Sequence, residues 1–586
     1  MREYTDLSGS FHETLFDGGE KNVSLPVVMP FEKAPSELCL ECTFTPPEDT
    51  EQNCFFIELD SLSAKYDIFC NGEKVTSLKS VYTRRRAELT AHIRQNAANE
   101  IRLVISPLKR ADGRFSFGGA RILMTDKTHF ELLSDGDSGI SVRTLINGLT
   151  AHVSVKAEII NPNNYDVAVF TLYDPNGRVI ETRTEKPTAA QTDFSQDAPE
   201  LWDGPHSPAV YTVEAAIQRD SVILDKVSCT FGIRSFEINP DGFFCVNGIK
   251  NPLCGITLAD FDQIEDDMEA VSELDANCVR FTGLPVDDDI LTRCDEAGVL
   301  AWIDLPSDGT DSDLDELRAA AKAAAMHPSA AVISTNANDP AFAKSWCSTV
   351  KQYAQYTSPA LFSDIFDTEG IIDAVPDILA VIIPADTGLN DFTKYENRLA
   401  EIRELHPEFR LAVFAASPEC IIDRHSENAR RSDCSQEFFS AWHERFWNTF
   451  CSQKNVIGVF GGNLSDRDNA TNRTGLVTLD REEKKDAFWF YRAQFSATGF
   501  VRLCSSGQTL VTSKYTDIKC YSNTSAVKLT VNGKENKNYG CEKLSDCVYV
   551  FRDIKLKRRN NTVVVTSGSS TDSEVIFRSR SRLSKK

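Results

Sequence analysis

The sequence predicts a multidomain protein with β-sandwich folds at both ends and a (β/α)8 TIM barrel between them. Three observations carry this reading. The 586 residues exceed what a single hydrophobic core organises. Strand-like runs fill the chain up to about residue 236 and return from about residue 498. Between them, strand-like runs alternate with runs of helical period.

Residues 1–135 form the first expected domain. Its segment CFFIELDSLSAKYDIFCNGEKV holds two apolar runs and then Asn71-Gly72, a hairpin signal because both turn residues must adopt positive φ. The same dipeptide recurs at Asn247-Gly248 and Asn532-Gly533. Residues 136–238 form the second domain, where LTAHVSVKAEII, VAVFTLYD and AVYTVEAAI alternate at the turn spacing of a sandwich of about 100 residues.

The barrel is expected over 239–497. CGITL is followed by a segment in which Ile264, Met268, Val271 and Leu274 recur at helical spacing. NCVRFTG, VLAWIDLP, AAVISTNAND, PALFSDIF, ILAVIIPAD, RLAVFAA and NVIGVFGGN complete eight strand candidates. That count and alternation favour a closed barrel over a six-stranded open sheet. Residues 498–586 form the last domain, a β-sandwich with VKLTVNGKE and NTVVVTS among its strands.

A formal net charge of −23 argues against nucleic acid as a partner, since little would neutralise phosphates. The basic end (Arg578, Arg580, Arg582, Lys585, Lys586) reads as a solvated tail. No apolar run reaches about 18 residues, so no membrane partner is expected. The opening MREYTDLSGS has no apolar core of a secretory leader. The 17 cysteines are odd in number and sit mostly inside apolar runs, as expected of reduced thiols in a cytoplasmic protein. Cys39 and Cys42 make a lone C-x-x-C on a strand-like segment, with no second ligand pair nearby, so no metal is expected there. No phosphate-binding glycine loop, H-E-x-x-H or nucleophile elbow is present, and no cofactor is expected.

Several motifs recur in a known order. They are Phe69-Cys70-Asn71-Gly72-Glu73-Lys74, Gly118-Gly119-Ala120-Arg121, and Leu201-Trp202 before Pro208-Ala209-Val210-Tyr211. Then come Phe231-Gly232-Ile233-Arg234, Val246-Asn247-Gly248-Ile249-Lys250, Asn277-Cys278-Val279-Arg280, Cys294-Asp295-Glu296-Ala297-Gly298-Val299, His327-Pro328-Ser329 and GLVTLDREEKKDAFWFYRA. This series resembles glycoside hydrolase family 2, of the β-galactosidase and β-glucuronidase type, over nearly the whole chain. The resemblance implies a jelly-roll first domain, an immunoglobulin-like second domain, a catalytic-type barrel and a trailing sandwich.

It also implies a retaining mechanism, which needs two carboxyl groups about 5 to 5.5 Å apart. The family's acid/base Glu ends the fourth barrel strand after an Asn. Aligned from the strand end, Asp339 takes that place behind Asn338; counted from His327-Pro328-Ser329, Asn338 itself takes it. Asp is a methylene shorter than Glu, and a misplacement of about 1 Å costs on the order of a hundredfold in rate. Asp339 reads equally as the cap of a helix opening at Pro340. The family's nucleophile Glu ends the seventh strand, where this chain has Ala415 and Ala416, with Glu419 further on as a displaced substitute. The eighth-strand W-N-x-x-D keeps Asn463 and Asp466 without the Trp, and the third strand keeps an acid, Asp304.

Arg280, Asp304, Asn338, Asn463 and Asp466 are therefore the expected ligand-binding residues. Arg280 is expected to pair with one of the strand-end acids, which include Asp260, Asp364 and Asp386. The expected function is a non-hydrolytic family 2 protein of carbohydrate metabolism, acting in carbohydrate binding or scaffolding, with a β-glycoside as partner. The alternative is a divergent active retaining β-glycosidase using Asp339 with a displaced carboxylate. Assembly into a homo-oligomer stays open.

Overall fold

The structure, a computed structural model, describes residues 2–579 apart from 15–19, 111–112, 137–138, 260, 284–287, 308, 337–338, 367–375, 427–428, 468–472, 505–509, 512 and 536–540. Eight strands form a closed barrel in chain order: β1 Leu253–Leu258, β2 Cys278–Thr282, β3 Leu300–Asp304, β4 Ala330–Thr335, β5 Ser358–Phe362, β6 Ile378–Ile383, β7 Arg410–Ala415 and β8 Val456–Asn463. The described helices of this region are α1 Ile264–Leu274, α2 Asp288–Ala297, α3 Asp311–Met326, α4 Pro340–Tyr353, α5 Phe392–Leu405, α6 Gln436–Phe450 and α7 Asp486–Phe495. The chain divides into two compact units. One holds Met1–Asn251, Phe281–Phe362 and Glu369–Asp377; the other holds Pro252–Arg280, Ser363–Thr368 and Ile378–Lys586.

In the first unit, the N-terminal sandwich packs a four-stranded antiparallel sheet against a six-stranded one. Period-two strands such as Asn99–Pro107 point Ile101, Leu103 and Ile105 into a core shared with Phe11, Phe55 and Phe117. The second sandwich sets three strands against four around Phe170, Phe194, Val153 and Val213, the seven-stranded layout of an immunoglobulin-like domain. Cys39 and Cys42 lie three apart on the strand Leu38–Phe44, so their side chains leave opposite faces. Burial pushes the Cys42 thiol up to about 12. All 17 cysteines are free.

All three Asn-Gly sites are two-residue hairpin turns with positive φ at both positions, Asn71/Gly72 at 52° and 84° among them. Val246-Asn247-Gly248-Ile249 turns inside a small three-stranded sheet (236–250) that precedes β1.

The family-like motifs of the first unit dock on one another. Arg234 is buried and donates from Nε to the Pro328 carbonyl at 2.7 Å and from Nη2 to the His327 carbonyl at 3.1 Å. A side chain at Gly232 would put its Cβ 2.3 Å from the Pro328 Cβ, so only glycine fits. Asp295 accepts from the Ser329 amide at 2.9 Å and lies 2.7 Å from His327 Nδ1. Trp202 donates its indole N–H to the Asp295 carbonyl at 3.0 Å.

In the second unit, a Cβ on Gly461 would lie 2.8 Å from the Tyr491 ring of α7. Gly461 thus faces the surrounding helices, and its neighbour Phe460 faces the barrel interior. Parallel pairing of Ile382 with Phe414 and of Phe414 with Phe460 turns all three inward. Gly255 of β1 pairs with Phe460, whose ring lies 2.3 Å from where a Gly255 Cβ would be. The C-terminal sandwich packs four strands against five around Leu503, Leu529, Phe551 and Val563. Among the described residues, no helix is long and apolar enough to cross a membrane.

His443 of α6 is fully buried among Phe439, Trp442 and Tyr491, with Nδ1 2.9 Å from the Tyr491 hydroxyl. Its Nε2 has no partner among the described residues. Burial pushes its pKa down to about 3. Below the ordinary value near 6.5 the unfolded chain takes a proton that the folded chain refuses, so its contribution is complete above 6.5 and is lost as pH falls toward 3. The expected slope in that window is up to about 1.4 kcal/mol per pH unit. Urea unfolding at several pH values should show a shallower acid loss in His443→Gln than in the parent; parallel slopes would refute this.

Candidate functional site

On the β3–β4 side, Asp304 closes β3 and is 4% exposed. It accepts from Ser334 Oγ at 3.3 Å, and Ser334 Oγ accepts the Trp302 indole N–H at 2.7 Å. The Asp304 carbonyl accepts from the Gly283 amide. Asp304 is thus fixed on both sides, by its side chain to β4 and by its backbone to the residue after β2.

Asp339 is exposed and caps α4, accepting from the Phe342 amide at 2.8 Å with Pro340 in the first helical turn. This is the capping geometry one reading of the sequence expects, and it turns the carboxylate back onto its own helix. Asn338 lies outside the described residues, as does Asp260.

On the β7–β8 side, β7 ends at buried Ala415, and the Ala416 amide extends the ladder to the Ile383 carbonyl at 2.9 Å. Ser417 follows, buried, with its hydroxyl unpartnered among the described residues. Gly462 of β8, at φ +95°, would place a Cβ 2.3 Å from that hydroxyl. Glu419 is exposed, with Oε2 accepting from the Cys434 thiol at 3.9 Å.

Asn463 donates to Thr474 Oγ1 at 3.3 Å. Asp466 is buried, accepts from the Gly475 amide at 2.8 Å and pairs with Lys485 Nζ at 2.7 Å. Burial raises the Asp466 pKa despite the opposing charge of Lys485. Asp364 accepts from the Phe366 amide at 2.9 Å, and Asp386 is exposed. Arg280 lies with its guanidinium 4.8 Å from the centre of the Phe414 ring, which stacks on Phe460 at 4.3 Å.

The structure therefore joins Asn463 and Asp466 to the 473–485 segment and Asp304 to Ser334. The three strand-end acids Asp304, Asp339 and Asp466 are each held by a local partner. Among the described residues, no group of three or more His, Cys, Asp or Glu could hold a metal ion. Sequence reasoning missed Lys485, one of seven consecutive charged residues and unmarked among them, and Ser417. It also missed the Phe414–Phe460 stack, which Gly255 and Gly458 inside apolar strands signal, since such glycines mark close approach.

The sequence model of glycosyl hydrolases family 2 matches residues 127–234. A β-glucuronidase of Bacteroides fragilis is 22% identical across 87% of this chain and 82% of its own length. The β-galactosidase BoGH2A of Bacteroides ovatus is 23% identical over 44% of this chain, which spans only 33% of that protein. Among solved structures, an FMN-binding β-glucuronidase from Facaelibacterium prausnitzii L2-6 superposes with a TM-score of 0.87 at 21% identity, covering 100% of this chain and 99% of the other. A Bacteroides uniformis β-glucuronidase gives 0.81 at 19% identity, covering 99% and 81%. The matched segment ends at Arg234, the residue that docks the second sandwich onto His327-Pro328, and the whole domain series follows the same plan. The chain thus carries a glycosyl hydrolases family 2 segment at residues 127–234 and shares the fold of solved β-glucuronidases along its whole length.

Proposed function

We propose that this protein binds a β-glycoside carbohydrate without hydrolysing it. The observation that carries the reading is the end of β7, where Ala415 and Ala416 stand at the position the family resemblance assigns to the nucleophile. A methyl group cannot attack an anomeric carbon, so a covalent glycosyl-enzyme intermediate has no acceptor there. Two further observations support it. Glu419, the displaced substitute, is exposed and engaged by Cys434. Asp339 is committed to its helix N-terminus. The β-glucuronidase and β-galactosidase relatives supply the ligand class.

The test is an assay of purified protein on chromogenic β-galactosides, β-glucuronides, β-mannosides and β-glucosides, beside Asp339→Asn and Glu419→Gln. The expected result is no turnover attributable to the protein, with calorimetric binding of at least one of the corresponding unmodified glycosides. Turnover that disappears in either variant would place that carboxylate in a working mechanism and end the non-hydrolytic reading.

A further inference from the structure

The first unit contains a cleft of about 1040 Å³ whose lining includes none of the strand-end acids discussed above. One wall is the outward face of the strands Ile140–Asn147 and Thr150–Ala157, presenting Arg143, Ser154 and Lys156. Arg143 and Ser154 face each other across the antiparallel pair. The other wall is built from α3 and α4, with Lys322, Lys351 and Tyr353.

Its charge runs against that of the molecule. The lining holds nine Lys and Arg against five Asp and Glu, whereas the chain as a whole has 63 against 86. Most of the nine are already paired: Arg86 and Arg121 share Glu58, Lys322 holds Asp135 at 2.8 Å, Arg84 meets Asp60 and Lys156 meets Glu158, while Arg2 and Lys351 reach Asp225 and Asp377 outside the lining. Counting those two partners, nine cations still face seven carboxylates, and the unspent charge at the surface is that of Arg143. Arg143 is exposed and has no partner among the described residues. A guanidinium without a carboxylate in a cationic concavity is a fork for a planar anion.

We infer that this cleft binds a short anionic oligosaccharide, one carrying carboxylate or sulfate groups. The inference rests on the carbohydrate-binding reading above for the sugar part of the ligand. Size and charge fix the rest. The volume stands at the top of the range of about 300–1,000 Å³ usual for small-ligand sites, which suits several rings better than one. Hydroxyl and amide side chains (Ser154, Gln191) and the half-buried Tyr353 ring offer hydrogen bonds and an apolar face, the two surfaces a pyranose presents. A long polyanion would be repelled by the net charge of −23, so the ligand is short.

The experiment is calorimetric titration of the full chain with a tetramer of α-1,4-linked galacturonic acid, a sulfated galactose tetramer, and neutral maltotetraose. The expected result is binding of one or both acidic tetramers, about tenfold or more tighter than the neutral one, and weaker as salt rises from roughly 0.05 to 0.3 M. Arg143→Gln, at an exposed position without a carboxylate partner, is expected to weaken it about fivefold, and Lys351→Gln, exposed but ion-paired with Asp377 at 2.6 Å, to weaken it less. The two acidic tetramers distinguish carboxylate from sulfate. Acidic tetramers that bind no better than maltotetraose, or that bind equally to the parent and both variants, would overturn the cleft and leave the β-glycoside titration above unaffected. Failure of that earlier titration, with the acidic tetramers still bound and sensitive to Arg143, would overturn the β-glycoside reading and keep the cleft.

Discussion

Arg234→Met should lower the stability of the first unit by about 2–4 kcal/mol. The guanidinium is 4% exposed, and burial pulls its pKa down to about 10, which measures how far it stands from water. No carboxylate hydrogen-bonds to it; its donors end on the carbonyls of Pro328 and His327. Its charge rests over the Phe236 ring at 4.9 Å and near Tyr356 at 5.5 Å. Methionine fills most of the volume but leaves the Pro328 carbonyl without its donor in a dry interior, at about 1–3 kcal/mol, and forfeits the ring contacts. Arg234→Lys keeps the charge but loses the planar fork that sets Nε and Nη2 on the two carbonyls, so it should recover less than half of the loss. Gly232→Ala tests the same junction by crowding, since its Cβ would fall 2.3 Å from the Pro328 Cβ. Trp202 packs edge-on against Phe236, so its fluorescence reports the loss during urea unfolding. Unchanged midpoints in both Arg234→Met and Gly232→Ala would show that the junction does not hold the unit together.

That junction also explains what the sequence made legible. F-G-I-R, the Leu201-Trp202 pair, C-D-E-x-G and H-P-S read as a family signature, and each of them makes a structural contact. Gly298 has φ +69°, and a Cβ there would lie 2.2 Å from the Gly204 carbonyl carbon, so both conformation and space call for glycine. Asp295 ties α2 to the start of β4 through Ser329 and His327. Glycines without space for a Cβ and polar groups fixed by backbone geometry tolerate few alternatives, so they remain readable when the chemistry beside them has changed. The Asn-Gly turns were legible for the same reason, since two successive positive φ values admit few residues.

The strand ends are read less directly. Whether Asp339 is an acid or a cap depends on where its carboxylate points, and sequence alone leaves both open; the structure gives the cap. Arg280 lies over Phe414, a ring 134 positions later in the chain that becomes its neighbour only through barrel closure. Pairings made by closure carry no local signal.

The same holds for Lys485 and Asp466, whose pairing sets up the second large effect. Lys485→Met should destabilise the second unit by about 3–5 kcal/mol, because it leaves a buried carboxylate without its cation. Lys485 Nζ is fully buried, 2.7 Å from Asp466 Oδ1 and 3.2 Å from the Arg473 carbonyl, with the Phe439 ring 5.4 Å away. Asp466 is 6% exposed and closes a ring of contacts behind β8: its Oδ1 takes the Gly475 amide, while the backbones of Asp466 and Val477 are hydrogen-bonded. The sign of the Asp466 shift bears on the value of the pair. Burial raises its pKa against the pull of Lys485, and a buried ion pair of this kind offsets much of its attraction by the cost of its own desolvation. With its bonds to Gly475 and Arg473, the pair fixes where this segment sits. It follows that Lys485→Met combined with Asp466→Leu should regain most of what the single substitution loses, giving a coupling of about 2–3 kcal/mol in a double-mutant cycle. Additive losses would mean that Asp466 and Lys485 stabilise the fold independently, through Gly475 and Arg473 and not through each other.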